Sequence, residues 1–255
     1  MIQIQHVNKQ FKKLKALDDI CTDFRKGQVI SLIGPNGSGK TTLIKSILGM
    51  VRPDSGRILV NDTPIETDPS YRHDIGYMPQ IGRYPDNLSI GHLFSMMKNI
   101  RDAKEDQLDT DLITEFKLTA QFDKSMRTLS GGTRQKVSAA LAFYFNPSIL
   151  ILDEPTAGLD PVSSEILKHK ILAEKARNKL ILITSHILSD LDELTTDILY
   201  LQDGKQIFFK SIEKLRQETG QAKLGKAVAG IMKEREENNL WVDKESGLIF
   251  KRPNF

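Results

Sequence analysis

The run "QVISLIGPNGSGKTT" (Gln28 to Thr42) constrains this chain more than any other segment. An apolar, β-rich stretch runs without a break into a glycine loop, and the loop runs into a segment with helical character. Its second half fits G-x-x-x-x-G-K-[ST] through Gly34, Gly39, Lys40 and Thr41. Glycines allow a backbone to curl its N–H groups around phosphate oxygens, and a helix that begins there adds its partial positive charge. Lys40 is placed to reach the β- and γ-phosphates, and the Thr41 hydroxyl to ligate Mg²⁺. Gly34, Pro35, Asn36, Gly37, Ser38, Gly39, Lys40, Thr41 and Thr42 are therefore candidate nucleotide contacts.

Two further apolar runs, "SILILDEP" (Ser148 to Pro155) and "LILITSH" (Leu180 to His186), alternate with helical patterns. This argues for an α/β fold with a mostly parallel central sheet of the P-loop NTPase kind. "IQIQHV" and "GRILVND" read instead as antiparallel strands, forming an N-terminal β subdomain. From about Ile90 to Thr128 the pattern is helical and polar, with Ser89 as N-cap, which reads as a helical subdomain of about residues 84–130 inserted into the core.

The strand in "ILILDEP" delivers Asp153 to the metal side of a phosphate loop, the carboxylate acting through water. Glu154 follows at once as the general base or water-orienting group. Elsewhere "LSGGTRQK" (Leu129 to Lys136) opens a helix with Ser130, Gly131 and Gly132, a hydroxyl and bare backbone N–H groups at a helix N-terminus. A second anion site of this kind has a use when a nucleotide is sandwiched between two subunits.

The order "GPNGSGKTT", "MPQ", "LSGGTRQK", "ILILDEPTAGLDP", "ITSH" resembles the nucleotide-binding subunit of ABC transporters over about residues 1–210. The resemblance implies an ATPase using ATP and Mg²⁺. It implies a head-to-tail dimer with a second copy of itself, in which each serine-glycine motif completes the other copy's site. It also implies a separate transmembrane permease and a place on the cytoplasmic face of the inner membrane. Residue by residue, Phe11 matches the aromatic that stacks on adenine, commonly tyrosine, with an ordinary core phenylalanine as the alternative. Gln80 matches the glutamine that touches Mg²⁺ or water and reports to the membrane subunit. Asp160 matches the loop that crosses the interface, and His186 the histidine that contacts the γ-phosphate and steadies the catalytic acid. A finer resemblance, through "MPQIGRYPDNLS" and "LSGGTRQKVSAALAF", is to NosF, the ATPase of the system that matures the copper centres of nitrous oxide reductase. It implies a NosY-like permease and, through it, a periplasmic NosD-like protein. General exporter ATPases for lipid, drug or polysaccharide differ only in their partner. Soluble ABC proteins of translation or repair are a third class, usually with two cassettes or a coiled-coil insertion.

Composition narrows the remaining choices. The net charge of +3 is small, so charge alone points to no nucleic-acid partner, and none is expected; the apolar runs are far shorter than a membrane span. "MIQIQHV" shows no signal-peptide pattern. Cys21, the one cysteine, excludes an intramolecular disulfide framework and is expected in or near the core. His6, His73, His92 and His169 show no ligand-like spacing and are expected at the surface. Residues 205–255 carry 11 Lys/Arg against 7 Asp/Glu, so the positive balance lies in the tail. There "KLGKAVAGIMKERE" sets Leu224, Val228, Ile231 and Met232 on one helix face, followed by Trp241 and "GLIF". The 211–255 segment reads as a small docked appendage with a solvated basic face, or as a surface facing a partner or membrane.

Overall fold

The computed structural model describes residues 1–185, 188–238, 240–242 and 249–251. The chain begins with β1 (Ile2–Phe11) and β2 (Leu14–Phe24), an antiparallel pair, then enters β3 (Val29–Ile33) and α1 (Lys40–Ile47). β4 (Ser55–Val60) and β5 (Thr63–Pro64) return to the first sheet, whose order is β2-β1-β4-β5. β6 (Ile75–Met78) leads to the helical segment, α2 (Ile90–Arg101) and α3 (Asp111–Glu115), and then to α4 (Gly131–Phe143). β7 (Ile149–Asp153), α5 (Pro161–Ala176), β8 (Leu180–Thr184), β9 (Asp197–Gln202) and β10 (Lys205–Ser211) complete the core. The six-stranded sheet has the order β10-β9-β3-β8-β7-β6 and is parallel except at β10. The antiparallel N-terminal sheet and the largely parallel core thus follow the sequence expectation.

Every residue of β3, β7 and β8 is buried, as expected of parallel strands covered on both faces. Their alternate side chains feed two separate cores. Val29, Ile33, Leu150, Leu152, Ile181 and Ile183 pack toward α4, α5 and the helical segment. Ile30, Leu32, Ile149, Ile151, Leu180 and Leu182 pack toward α1 and the antiparallel sheet. The sheet is therefore fixed from both sides, and its strand ends can carry polar groups at one edge.

Ser89 caps α2 as its sequence suggests, its Oγ accepting from His92 N–H at 3.3 Å. His6, His73, His92 and His169 are all exposed. Cys21 departs from expectation. It is exposed, because on β2 it shares the wet face with Asp19 and Asp23 while Ile20, Thr22 and Phe24 face inward. The strand period of two, not the residue's apolarity, sets its side.

After β10 come α6 (Ile212–Thr219) and α7 (Leu224–Asn238). Ile212 and Leu215 from α6, with Leu224, Ala227, Val228 and Ile231 from α7, are buried in the same core as Leu191, Ile198 and Phe208, and Met232 packs beside them. β11 (Leu240–Val242), which holds Trp241, pairs antiparallel with β12 (Ile249–Lys251), the end of the "GLIF" run; Gly247 and Leu248 of that run lie outside the described residues.

Candidate functional site

The phosphate loop leaves β3 at Gly34, whose φ is +145°, and enters α1 after Gly39, whose φ is +106°. Both values lie where side-chain-bearing residues are strained. A Cβ at Gly34 would also run into the Leu201 carbonyl, and one at Gly39 into the Ala16 carbonyl. Ser38, within the loop, is buried. Lys40 folds back across it, donating from Nζ to the carbonyls of Gly34 at 2.7 Å and Pro35 at 2.9 Å. Partial burial holds the Lys40 pKa below the ordinary lysine value against the nearby charges of Glu154 and Asp153. An anion arriving at the loop offers Lys40 a better partner than two carbonyls.

Asp153 ends β7 directly opposite Thr184 of β8. The Thr184 hydroxyl donates to Asp153 Oδ1, and Glu154 N–H donates to both Thr184 Oγ1 (3.0 Å) and Thr184 O (3.1 Å). Glu154 sits at φ +50°, a strained region for a residue with a Cβ, and these bonds hold it there. On the neighbouring strand, burial and then the Asp153 charge push the Tyr77 phenol up to about 12, so it stays protonated.

A cleft of about 450 Å³ is lined by Asn36 through Thr42 of the loop, by Phe11, by Gln80, by Asp153 and Glu154, and by Leu14, Ala16, Thr184 and Ser185. Phe11 is 46% exposed, so it offers a face rather than filling a core. Lys9 Nζ lies 5.3 Å from the Phe11 ring centroid and is paired with Asp54 at 2.7 Å. Gly34 and Pro35 do not line the cleft; their carbonyls stand behind Lys40. Oxygen donors from Thr41, Gln80 and Asp153 share one cavity beside the loop, a donor set suited to a hard cation that keeps part of its water.

Ser130, Gly131, Gly132 and Asp160 are not in this cleft. Ser130 caps α4, accepting from Thr133 N–H at 3.2 Å. A Cβ on Gly131 would meet nothing within 4 Å, and one on Gly132 only the Gly158 carbonyl, at 3.0 Å. Asp160 caps α5 through Ser163 N–H at 2.9 Å. His186 lies outside the described residues. The sequence reading missed Thr184, whose only signal is its place at the end of "LILIT", and missed Leu14 and Ala16, which carry no motif.

The family model described as ABC transporter matches residues 17–157. An uncharacterised ABC transporter ATP-binding protein of Bacillus subtilis (YhaQ) is 32% identical over 224 residues, 86% of this chain and 74% of that protein. The chain belongs to the ABC transporter ATP-binding subunits. A Nod factor export ATP-binding protein I of a Bradyrhizobium strain is 29% identical over 81% of this chain and 68% of that protein. Among solved structures, the ATP-binding subunit of an ABC transporter superposes with a TM-score of 0.85 at 25% identity, covering 91% of this chain and 99% of that one. A dimeric bacterial ABC transporter cassette superposes with a TM-score of 0.74 at 22% identity, covering 83% and 99%. The chain is therefore an ABC ATPase, a P-loop enzyme that binds and hydrolyses ATP.

Proposed function

We propose that two copies of this subunit close head to tail around ATP and thereby drive a separate membrane permease. The observation that carries the reading is the division of the anion-binding groups. The phosphate loop and the acidic pair share one cleft, whereas Ser130, Gly131, Gly132 and Asp160 stand on another part of the surface with open space before Gly131. A second copy brings its serine-glycine motif to the first copy's phosphates. Phe11 stacks on the base and Lys40 binds the β/γ-phosphates. Thr41, Asp153 and Gln80 hold Mg²⁺, which supplies charge neutralisation on the phosphate oxygens. Glu154 orients and deprotonates the attacking water, and His186 steadies it. Among the described residues no helix is long and apolar enough to cross a membrane; the subunit attaches to the inner membrane's cytoplasmic face through its permease. A groove of about 570 Å³, whose lining includes Arg72, Arg83 and Arg101 together with Met50, Tyr84 and Phe145, supports a docked partner there.

The finer reading is NosF-like, with a NosY-like permease and a NosD-like periplasmic protein, supported by "MPQIGRYPDNLS" and "LSGGTRQKVSAALAF". A general exporter ATPase is the second reading, favoured by the likeness to Nod factor export proteins. Affinity purification from native membranes decides between them: a lipid, drug or polysaccharide permease in the eluate in place of a NosY-like one overturns the first. The dimer is tested by sizing Glu154→Gln in saturating ATP, alone and with Ser130→Arg. The single variant is expected as a dimer and the double as a monomer that still binds ATP; equal dimerisation of the two sinks the composite site.

A further inference from the structure

Ser130 and Asp160 reach the proposed interface from different elements, the start of α4 and the loop before α5. One side chain joins them. Lys136, a turn and a half along α4, places Nζ 2.8 Å from Asp160 Oδ2. The same carboxylate caps α5, its Oδ1 accepting from Ser163 N–H at 2.9 Å and its Oδ2 from Ser163 Oγ at 2.7 Å. Three donors from two helices thus converge on one carboxylate, and they hold its pKa well below the ordinary aspartate value, the Lys136 bond first. Below Lys136 lies the Phe116 ring at the end of α3, with Nζ 5.9 Å from its centroid. The two loops also abut through their backbones, because a Cβ on Gly132 would stand only 3.0 Å from the Gly158 carbonyl.

We propose that Lys136 is a positioning residue that locks the Ser130–Gly132 motif and the Asp160 loop into one preformed face, so that both segments meet the partner copy's nucleotide as a unit. The inference rests on the head-to-tail reading and deepens it. A partly exposed ion pair contributes little to the stability of the monomer. Its value lies in association: segments already fixed in their bound arrangement avoid the ordering cost of closing the dimer. Once the face is covered, water no longer screens the pair and the bond strengthens. Neither Lys136 nor Asp160 lines the cleft of its own copy, so nucleotide binding by the monomer does not depend on the bond.

The experiment measures ATP-driven dimerisation by sedimentation in the Glu154→Gln background, with Lys136→Met, Lys136→Arg and Asp160→Asn added. Lys136→Met is expected to weaken the dimer about tenfold with the melting temperature and monomer ATP affinity held. Lys136→Arg, which keeps the charge and a donor, is expected to restore it. Asparagine keeps the helix cap but not the ion pair, so Asp160→Asn should weaken the dimer similarly and the double variant no further. In the Glu154 parent, Lys136→Met should lower kcat at limiting protein concentration and leave the ATP KM in place. The proposal is overturned if the methionine variant dimerises like its parent, if arginine fails as badly as methionine, or if the loss tracks a fall in melting temperature. Should Lys136→Met not fold, Lys136→Gln takes its place under the same outcomes. If Glu154→Gln itself stays monomeric in ATP, the head-to-tail reading fails, an outcome distinct from failure of Lys136 alone.

Discussion

Thr184 serves both acids of the site with one hydroxyl. It donates to Asp153 and accepts from the Glu154 N–H, whose strained φ of +50° it helps maintain. Thr184→Val keeps the shape and removes the oxygen. Asp153 then loses a donor, and Glu154 loses one of the two acceptors that hold its N–H. Small displacements of a catalytic group cost on the order of 10²-fold in rate, so kcat should fall by about one to two orders of magnitude while ATP affinity changes less. Steady-state phosphate release with a nucleotide titration reads both. Under the role proposed for Glu154, Glu154→Gln removes the charge that would polarise water while keeping size and hydrogen bonding. Its phosphate release should drop by about 10²–10⁴-fold with ATP binding intact; turnover at the parent rate rejects the assignment.

At the scale of elements, the helical segment is tied to α5 by charge as well as by packing. The Lys170 side chain, 5% exposed, binds Asp109 at 2.5 Å, Asp111 at 2.7 Å and Glu174 at 3.1 Å. Glu174, fully buried, also pairs with Arg177 at 2.8 Å and with Lys179 at the entry to β8. Burial on its own would raise the Glu174 pKa, but the ammonium groups of Lys179 and Lys170 outweigh it and hold the carboxyl below its ordinary 4.5. Removing one member of a buried pair leaves charge uncompensated, at a typical cost of about 3–5 kcal/mol. Glu174→Gln should therefore lower the urea midpoint strongly. The sign with pH follows from the depressed pKa. The folded state gains from this carboxylate above the unfolded glutamate value and loses the gain as pH falls through the lower folded value. The parent should thus lose stability below about pH 4.5 more steeply than Glu174→Gln, as urea titrations across that range would show. Equal slopes would remove Glu174 from the account of acid sensitivity.

For the whole molecule, the separation of the cleft from the Ser130 face makes a prediction about mixtures. On the head-to-tail arrangement proposed above, Ser130→Arg damages only the site of the partner copy, and Lys40→Ala only its own. In a head-to-tail heterodimer both lesions fall in one site and the other site is whole. Mixing the two inactive proteins in equal amounts should return activity toward about one quarter of the parent's sites if pairing is random. Phosphate release from the mixture, compared with each component alone, is the measurement. A mixture as inactive as its parts rejects trans completion with single-site turnover, and sizing in ATP shows which of the two has failed.

Features that depend only on neighbours along the chain were legible in the sequence. A strand that runs into Gly34 through Gly39 and then a helix needs only local sterics to build a phosphate loop, and Asp153 and Glu154 reach it because adjacent residues at a strand end leave together. The Ser89 cap and the apolar face of α7 are local in the same way. Whatever depends on pairing across elements came only with the folded arrangement. Register between β7 and β8 set Thr184 against Asp153, although 31 positions separate them. Strand side, not residue type, turned Cys21 outward. Lys170 and Glu174 acquired partners from α3's approach and from the start of β8 that no spacing announces. The packing of α4 and α5 carried Ser130 and Asp160 away from the cleft and joined them through Lys136. Local conformation is a short-range matter of φ, ψ and side-chain period. Which distant groups come within 3 Å of one another is fixed only when the two cores on either side of the sheet close.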